Sequence, residues 1–226
     1  MVKNRSELRD TLQTYSSYLT AWNNLRSLVL AASILAFSGC ALWNTDAVVF
    51  HAINYPAPKT NREHRIPETI MVYRLLMDSS VDSHYLVISN LKEKTRSVSS
   101  HAWVQDPSEM ITELITRDLE SSGLFEKAID QTSNLPYRYG LEGQLKKFEG
   151  VINNGKGAGL IEAEVRLIDF EHQSTGNSEL IRKLYTVEIP SVDTKPESIV
   201  KALDKASMDL SEKIRNDVGK ILISKN

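Results

Sequence analysis

The chain has 226 residues, of which 41% are hydrophobic and 25% charged, ordinary globular usage that supports one well-filled core rather than two large domains. Ten glycines and seven prolines exclude fibrous or low-complexity character. The net charge of −2 arises from 27 basic and 29 acidic side chains without a dense Lys/Arg cluster, so the cationic footprint of a nucleic-acid binder is missing.

Residues 1–26 are polar and carry Lys3, Arg5, Arg9 and Arg26 against Glu7 and Asp10. Ser27 to Gly39 is an uncharged, mostly apolar run that ends at Cys40, the single cysteine of the chain. A basic flank, a short apolar stretch and small residues before a cut site are the three parts of a secretory signal. As a helix the run reaches only about 20 Å, against a hydrocarbon core of about 30 Å. The expected organisation is a signal peptide over 1–39, a tether over 40–47 and a single α+β domain over 48–226. A buried helix with an incidental cysteine and a retained signal anchor are the competing readings. Four basic and two acidic groups precede Cys40, which leaves 23 and 27 in the mature part.

Phe37-Ser38-Gly39-Cys40 resembles the bacterial lipobox, with Phe in place of the usual Leu at its first position. The resemblance implies cleavage before Cys40 and acylation of its thiol. Two or three acyl chains make a stable anchor, whereas one is marginal. Ala41, where an Asp would signal retention, implies the periplasmic face of the outer membrane.

In the remainder, Val48 to Tyr55 is compatible with a first strand, and Pro56 to Pro67 reads as a loop because proline cannot donate to a ladder. Thr69–Leu76, His84–Ser89 and Thr95–Trp103 are rich in β-branched and aromatic residues and predict three strands. Asp106-Pro107-Ser108-Glu109 is a helix start, with Met110, Ile111, Leu114, Ile115 and Leu119 on one side and Gly123 as the stop. Leu124–Ile129 predicts another strand. Tyr137 to Lys146, Leu160 to Phe170 and Glu179 to Ile189 alternate in polarity and predict an antiparallel meander, with turns at Asn153–Gly159 and Ser174–Ser178. From Pro196, a stripe of Ile199, Val200, Leu203, Ala206, Leu210, Ile214, Val218 and Ile221 predicts a closing helix roughly 40 Å long, whose end is expected to project beyond a small sheet. The expected fold is α+β: a mostly antiparallel sheet with two helices packed on one face.

Chemistry is hard to find. There is no Gly-x-Ser-x-Gly elbow, and lipidation consumes Cys40. His51, His64, His84, His101 and His172 are scattered, so a metal site needs distant partners and exposed or edge-strand histidines are the plainer reading. Gly155-Lys-Gly-Ala-Gly159 lacks the hydroxyl residue and following helix of a phosphate loop, and reads as a hairpin. Asp118, Glu120, Asp209, Glu212 and Asp217 read as solvated helix faces. Trp103 reads as a core cap over the first helix. The expectation is no catalytic residues, no cofactor and no metal, and therefore a binding or assembly role rather than an enzyme.

The order of motifs is more specific. Tyr55-Pro56-x-Pro58 is followed by Ile70-Met-Val-Tyr-Arg-Leu75, by a Trp-containing strand end at Asp106-Pro107, and by Arg117-Asp-Leu-Glu-Ser-Ser-Gly-Leu-Phe125. Then come Leu141-Glu-Gly-Gln-Leu-x-x-Phe148, Val165-x-Leu-x-Asp-Phe170, Ile199-Val-x-Ala202 and Leu210-Ser-x-x-Ile214. This series resembles the ABC-type transport auxiliary lipoproteins of the paraquat-inducible protein C type, found beside MCE-domain lipid transporters. The resemblance implies a fold like the TolB N-terminal domain. It also implies a lipid-anchored subunit that docks an MCE-domain protein and the ABC permease/ATPase complex, moving phospholipid or another hydrophobic molecule between membranes. An assembly lipoprotein for an outer-membrane secretion or lipopolysaccharide channel is the alternative. Self-association into a homo-oligomer through the last helix or a sheet edge stays open.

Overall fold

The computed structural model describes residues 47–59, 66–79, 81, 84–90, 93–171 and 178–224. Cys40 and the predicted signal lie outside them. In chain order the elements are β1 (Val49–His51), β2 (Ile66–Val72), β3 (Leu76–Met77), β4 (Tyr85–Asn90), β5 (Glu93–Trp103), α1 (Pro107–Ser122), β6 (Phe125–Asp130), β7 (Tyr139–Asn153), β8 (Lys156–Asp169), β9 (Glu179–Pro190) and α2 (Pro196–Ile223).

Strand β7 organises the sheet. One edge pairs with β8 over its whole length, from Tyr139 opposite Asp169 to Asn153 opposite Lys156, and β8 pairs in turn with β9. Both pairings are antiparallel, as the alternation of the three segments predicts. The β7–β8 hairpin closes through Asn154 (φ 50°) and Gly155 (φ 75°), the positive-φ pair that a two-residue turn requires. The hairpin reading of the glycine-rich segment therefore holds, although the turn occupies two residues and the strands extend almost to it.

The other edge of β7 receives three strands in succession, all parallel: β2 at Tyr139–Leu141, β3 at Gln144–Leu145 and β4 at Gly150–Ile152. Parallel pairing also joins β2 to β6 and β1 to β5, whereas β4 and β5 are antiparallel. Among the described residues five of eight pairings are parallel, so the sheet is mixed rather than mostly antiparallel. Alternation reports which face a side chain takes and is silent on the direction of the neighbouring strand. The chain leaves β2, passes through β3–β5 and α1, and returns beside β2 as β6; a crossover of that length permits parallel pairing.

Pro67 lies within β2, not in the preceding loop. The register between β2 and β6 shifts between Ile66 and Thr69, and the proline sits in that irregularity, where no ladder donor is needed.

Both helices cover one sheet face. Leu141, Leu145, Ile161, Ala163 and Leu167 point into it and are at most 1% exposed. Every residue of the predicted α1 stripe is buried, and α1 begins with the Asp106 carboxylate accepting from the Ser108 amide at 2.9 Å and ends at Gly123 in the left-handed region (φ 68°). Each fully buried Leu or Ile stabilises by roughly 1.5–3 kcal/mol relative to exposure. The end of α2 does not project: Ile214, Val218 and Leu222 are buried in the same cluster, because β8, β9 and α1 continue beneath the helix.

Candidate functional site

The face of β7, β8 and β9 turned away from the helices is the open side of the sheet. In-register pairing lays Leu76, Gln144, Glu164 and Leu184 in one row across β3, β7, β8 and β9. The two leucines at its ends are 72% and 52% exposed. The next row is Glu142, Arg166 and Arg182. Charges of opposite sign interleave along these rows: Lys146 meets Glu164 at 2.8 Å, Arg182 meets Glu179 at 2.7 Å and Glu164 at 3.6 Å, and Arg166 pairs with Glu142. A bulge between Leu145 and Lys147 turns two consecutive lysines outward, so Lys147 also meets Glu162, at 2.9 Å, while Leu145 and Phe148 stay in the core.

The Lys146 ammonium, hydrogen-bonded to Glu164, holds that carboxyl below the ordinary range and is itself raised in return. Arg182 lowers Glu179 in the same way. Exposed pairs of this kind contribute little to stability, so the ladder does little to hold the fold together. A hollow of about 510 Å³ opens here, lined by Tyr73, Arg74, Leu76, Gln144, Arg166 and Arg182 among others.

At the start of β7 the same face becomes aromatic. The Tyr73 and Tyr137 hydroxyls are 2.6 Å apart, and Tyr137 meets Phe170 edge-on with ring centroids 5.6 Å apart. Burial, followed by the hydrogen bond with Tyr137, pushes the Tyr73 phenol up to about 12. Gly140 lies beside these rings: a Cβ there would stand 2.5 Å from Phe170 and 3.2 Å from Tyr73, so a larger residue has to push the rings aside. Arg138 closes the cluster, donating to Asp169 through two nitrogens at 3.2 and 3.1 Å and reaching Glu68 at 3.2 Å and Glu171 at 3.0 Å. These hydrogen bonds, led by those to Asp169, hold the guanidinium more firmly protonated than usual. Tyrosine and arginine, both present on this face, are residue types enriched in protein interfaces.

Other residues singled out by the sequence fall elsewhere. Cys40, His64 and His172 lie outside the described residues. His51 and His101, far apart in sequence, are brought together with Nε2 to Nδ1 at 2.8 Å and rings stacked 5.1 Å apart, and Glu197 stands 3.9 Å from His101. The His51 pKa is lowered, first by burial and then by His101, against an opposing pull from Glu197. Among the described residues no group of three or more His, Cys, Asp or Glu side chains is placed to hold a metal ion. Trp103 is buried, 5.2 Å from the Phe148 ring, in keeping with a core role.

Asp118 is not on a solvated helix face; it is 2% exposed. Its carboxylate accepts from the Tyr55 hydroxyl at 2.9 Å, the Ser211 hydroxyl at 2.7 Å and the Arg117 guanidinium at 2.9 and 2.8 Å. Arg117 donates onward to the Tyr55 carbonyl at 2.9 Å and stacks over its ring. Three segments of the motif series, at Tyr55, Arg117-Asp118 and Leu210-Ser211, thus meet at one buried carboxylate that ties the segment after β1 to both helices. Glu120 and Asp217 are also engaged, accepting from the Ala128 amide and from Lys183 and Tyr185 respectively.

Among the described residues no helix is long and apolar enough to cross a membrane. Among solved structures the fold is similar to that of protein XCC0632 from Xanthomonas campestris, a DUF330 protein. The TM-score is 0.66 at 16% identity, over 78% of this chain and 97% of that one. Hypothetical protein CT253 from Chlamydia trachomatis is more distant, with a TM-score of 0.50 at 10% identity over 70% of this chain and 99% of that one. No curated protein matches the chain. The model of one family, the ABC-type transport auxiliary lipoprotein component, matches residues 51–215, nearly the whole of the described fold. The chain therefore belongs to the ABC-type transport auxiliary lipoprotein family.

Proposed function

We propose that this protein is a non-enzymatic docking subunit of an MCE-type ABC transport system. It is held to the periplasmic face of the outer membrane by acyl chains on Cys40 and binds its partner through the open face of β7–β9. The transported molecule is a phospholipid or another hydrophobic compound. The observation that carries this reading is the family match over residues 51–215. The open face supports it, because it joins exposed leucines with half-buried tyrosines and with arginines and commits little stability to its charged pairs.

The test is purification of the tagged, full-length protein from detergent-solubilised envelope, with mass spectrometry of its mature N-terminus and of its partners. An acylated Cys40 at the N-terminus, with an MCE-domain protein and the ABC permease or ATPase recovered alongside, is the expected outcome. An acylated protein that repeatedly co-purifies with a β-barrel channel, and never with a transporter subunit, overturns the assignment.

A further inference from the structure

Among the described residues β1 is the first strand and pairs with β5 alone, at one end of the sheet. It is three residues long, and Val49 and Phe50 are 44% and 65% exposed, so apolar burial contributes little to holding it. The side chain that ties it down is His51. Its ring stacks on His101 of β5 with Nε2 to Nδ1 at 2.8 Å, and the other nitrogen of His101 stands 3.9 Å from the Glu197 carboxylate in the first turn of α2. His101 is buried, and His51 is half-buried. A chain of polar contacts thus runs from β1 through β5 to the start of α2.

The number of protons on this chain decides whether it holds. With both rings neutral, the tautomer that serves both contacts has His51 Nε2–H donating to His101 Nδ1 and His101 Nε2–H facing Glu197. One added proton, on His51 Nδ1, leaves that bond in place, now donated by an imidazolium. A second, on His101 Nδ1, removes the acceptor and sets two like charges in contact. We infer that His51 and His101 form an acid-released clasp, which fastens β1 to the sheet at neutral pH and lets it go when both rings are protonated.

The groups around His51 favour release in acid. Burial, and then His101 on β5, lower its pKa, and Glu197 on α2 pulls the other way. Trp103 of β5 meets the ring edge-on at 6.2 Å and carries no charge. Tyr85 of β4 stands opposite Ala102, which alternates to the other face of β5 from His101. The attached strand therefore holds the His51 proton less tightly than the released one does. Attachment is complete above the ordinary histidine value and is lost as the pH falls below it.

Release ends a few residues further on. Ile53 is buried, the Asn54 amide donates to Asp204 at 3.0 Å, and the Tyr55 hydroxyl donates to Asp118 at 2.9 Å. Burial raises the Asp204 pKa, so a falling pH neutralises that carboxyl in place instead of expelling it. What comes free is Val48 to Ala52, about 18 Å of chain when extended. With Cys40 acylated, that length is added between the bilayer and the domain. This consequence, unlike the clasp itself, rests on the proposed acylation of Cys40.

The test is amide hydrogen exchange in the full-length, membrane-extracted protein at about pH 8 and about pH 5, read as protection factors that remove the intrinsic pH dependence of exchange. The Val104 amide, which donates to the His51 carbonyl at 2.9 Å, reports on β1, and the amides of Ile161 and Leu167 in β8 report on the rest of the fold. The expected result is a fall of about tenfold or more in protection at Val104 in acid, with β8 unchanged. His51→Ala is expected to give low protection at Val104 at both pH values. His51→Gln keeps a side-chain donor that does not titrate and is expected to restore most of the protection at the higher pH. Protection at Val104 that is the same at both pH values, or that falls only together with β8, overturns the clasp. A His51→Ala variant that keeps the wild-type profile overturns it too. Acid release of β1 in protein whose Cys40 carries no acyl chain upholds the clasp and refutes the anchor.

Discussion

At the residue scale, the buried carboxylate of Asp118 on α1 joins Tyr55, in the segment after β1, to Ser211 on α2. A buried carboxylate is tolerable only when its lone pairs are filled, and here two hydroxyls and a guanidinium fill them. Asp118→Ala leaves Arg117, Tyr55 and Ser211 without that acceptor. A loss of about 3–5 kcal/mol is expected, read as a fall in urea midpoint without a change in slope. Tyr55 gives a pH-dependent counterpart. Burial, and then the negative charge of Asp118, raise its phenol above the ordinary value of 10.0. The folded state therefore holds this proton more tightly than the unfolded chain does. The stabilisation is complete below pH 10 and is lost progressively as the pH rises beyond it. Tyr55→Phe is expected to cost about 1 kcal/mol at neutral pH and to flatten the decline above pH 10 in thermal melts. None of this was legible locally, because Asp118 follows Arg117 in a helix with polar residues nearby. What places it inside is the return of Tyr55 and Ser211 from segments 63 and 93 residues away.

At the element scale, the stripes and alternations of the sequence located both helices and the β7–β9 meander, since each element reports its own buried face. They did not give strand order. The parallel pairings along β7 join segments far apart in the chain, and β3, only two residues long, has no periodicity to detect. The glycines after the β7–β8 turn are informative in retrospect. Gly155 serves the turn, but Gly159 lies under α2, where a Cβ would come within 2.7 Å of the Leu203 nitrogen and 2.8 Å of the Ala202 carbonyl carbon. Those atoms are helix backbone and cannot swing aside, so Gly159→Ala has to lift α2 from β8. Destabilisation by about 1–3 kcal/mol is expected, measured by thermal or denaturant unfolding, with Gly155→Asn as a mild comparison in open space.

At the scale of the whole molecule, one face of the sheet is spent on the core and the other is left free. The helices, the Asp118 junction and the close approach at Gly159 fix the first face. The second keeps Leu76 and Leu184 exposed and carries charges that pair across the strands. Because exposed ion pairs contribute little to folding, Arg182→Glu is expected to cost little stability and still to disrupt binding by reversing a charge at the β9 end of its row. The most direct measurement is photo-crosslinking in intact cells, with the photoreactive side chain placed in turn at Leu76, at Leu184 and at Lys213 on the exposed side of α2. Leu76 and Leu184 are expected to capture a subunit of the transport system, Lys213 to capture none, and Arg182→Glu to abolish the two products without changing the melting temperature by more than a few degrees. Capture of a transport subunit from Lys213 alone, with nothing from either leucine, would contradict docking through the open face.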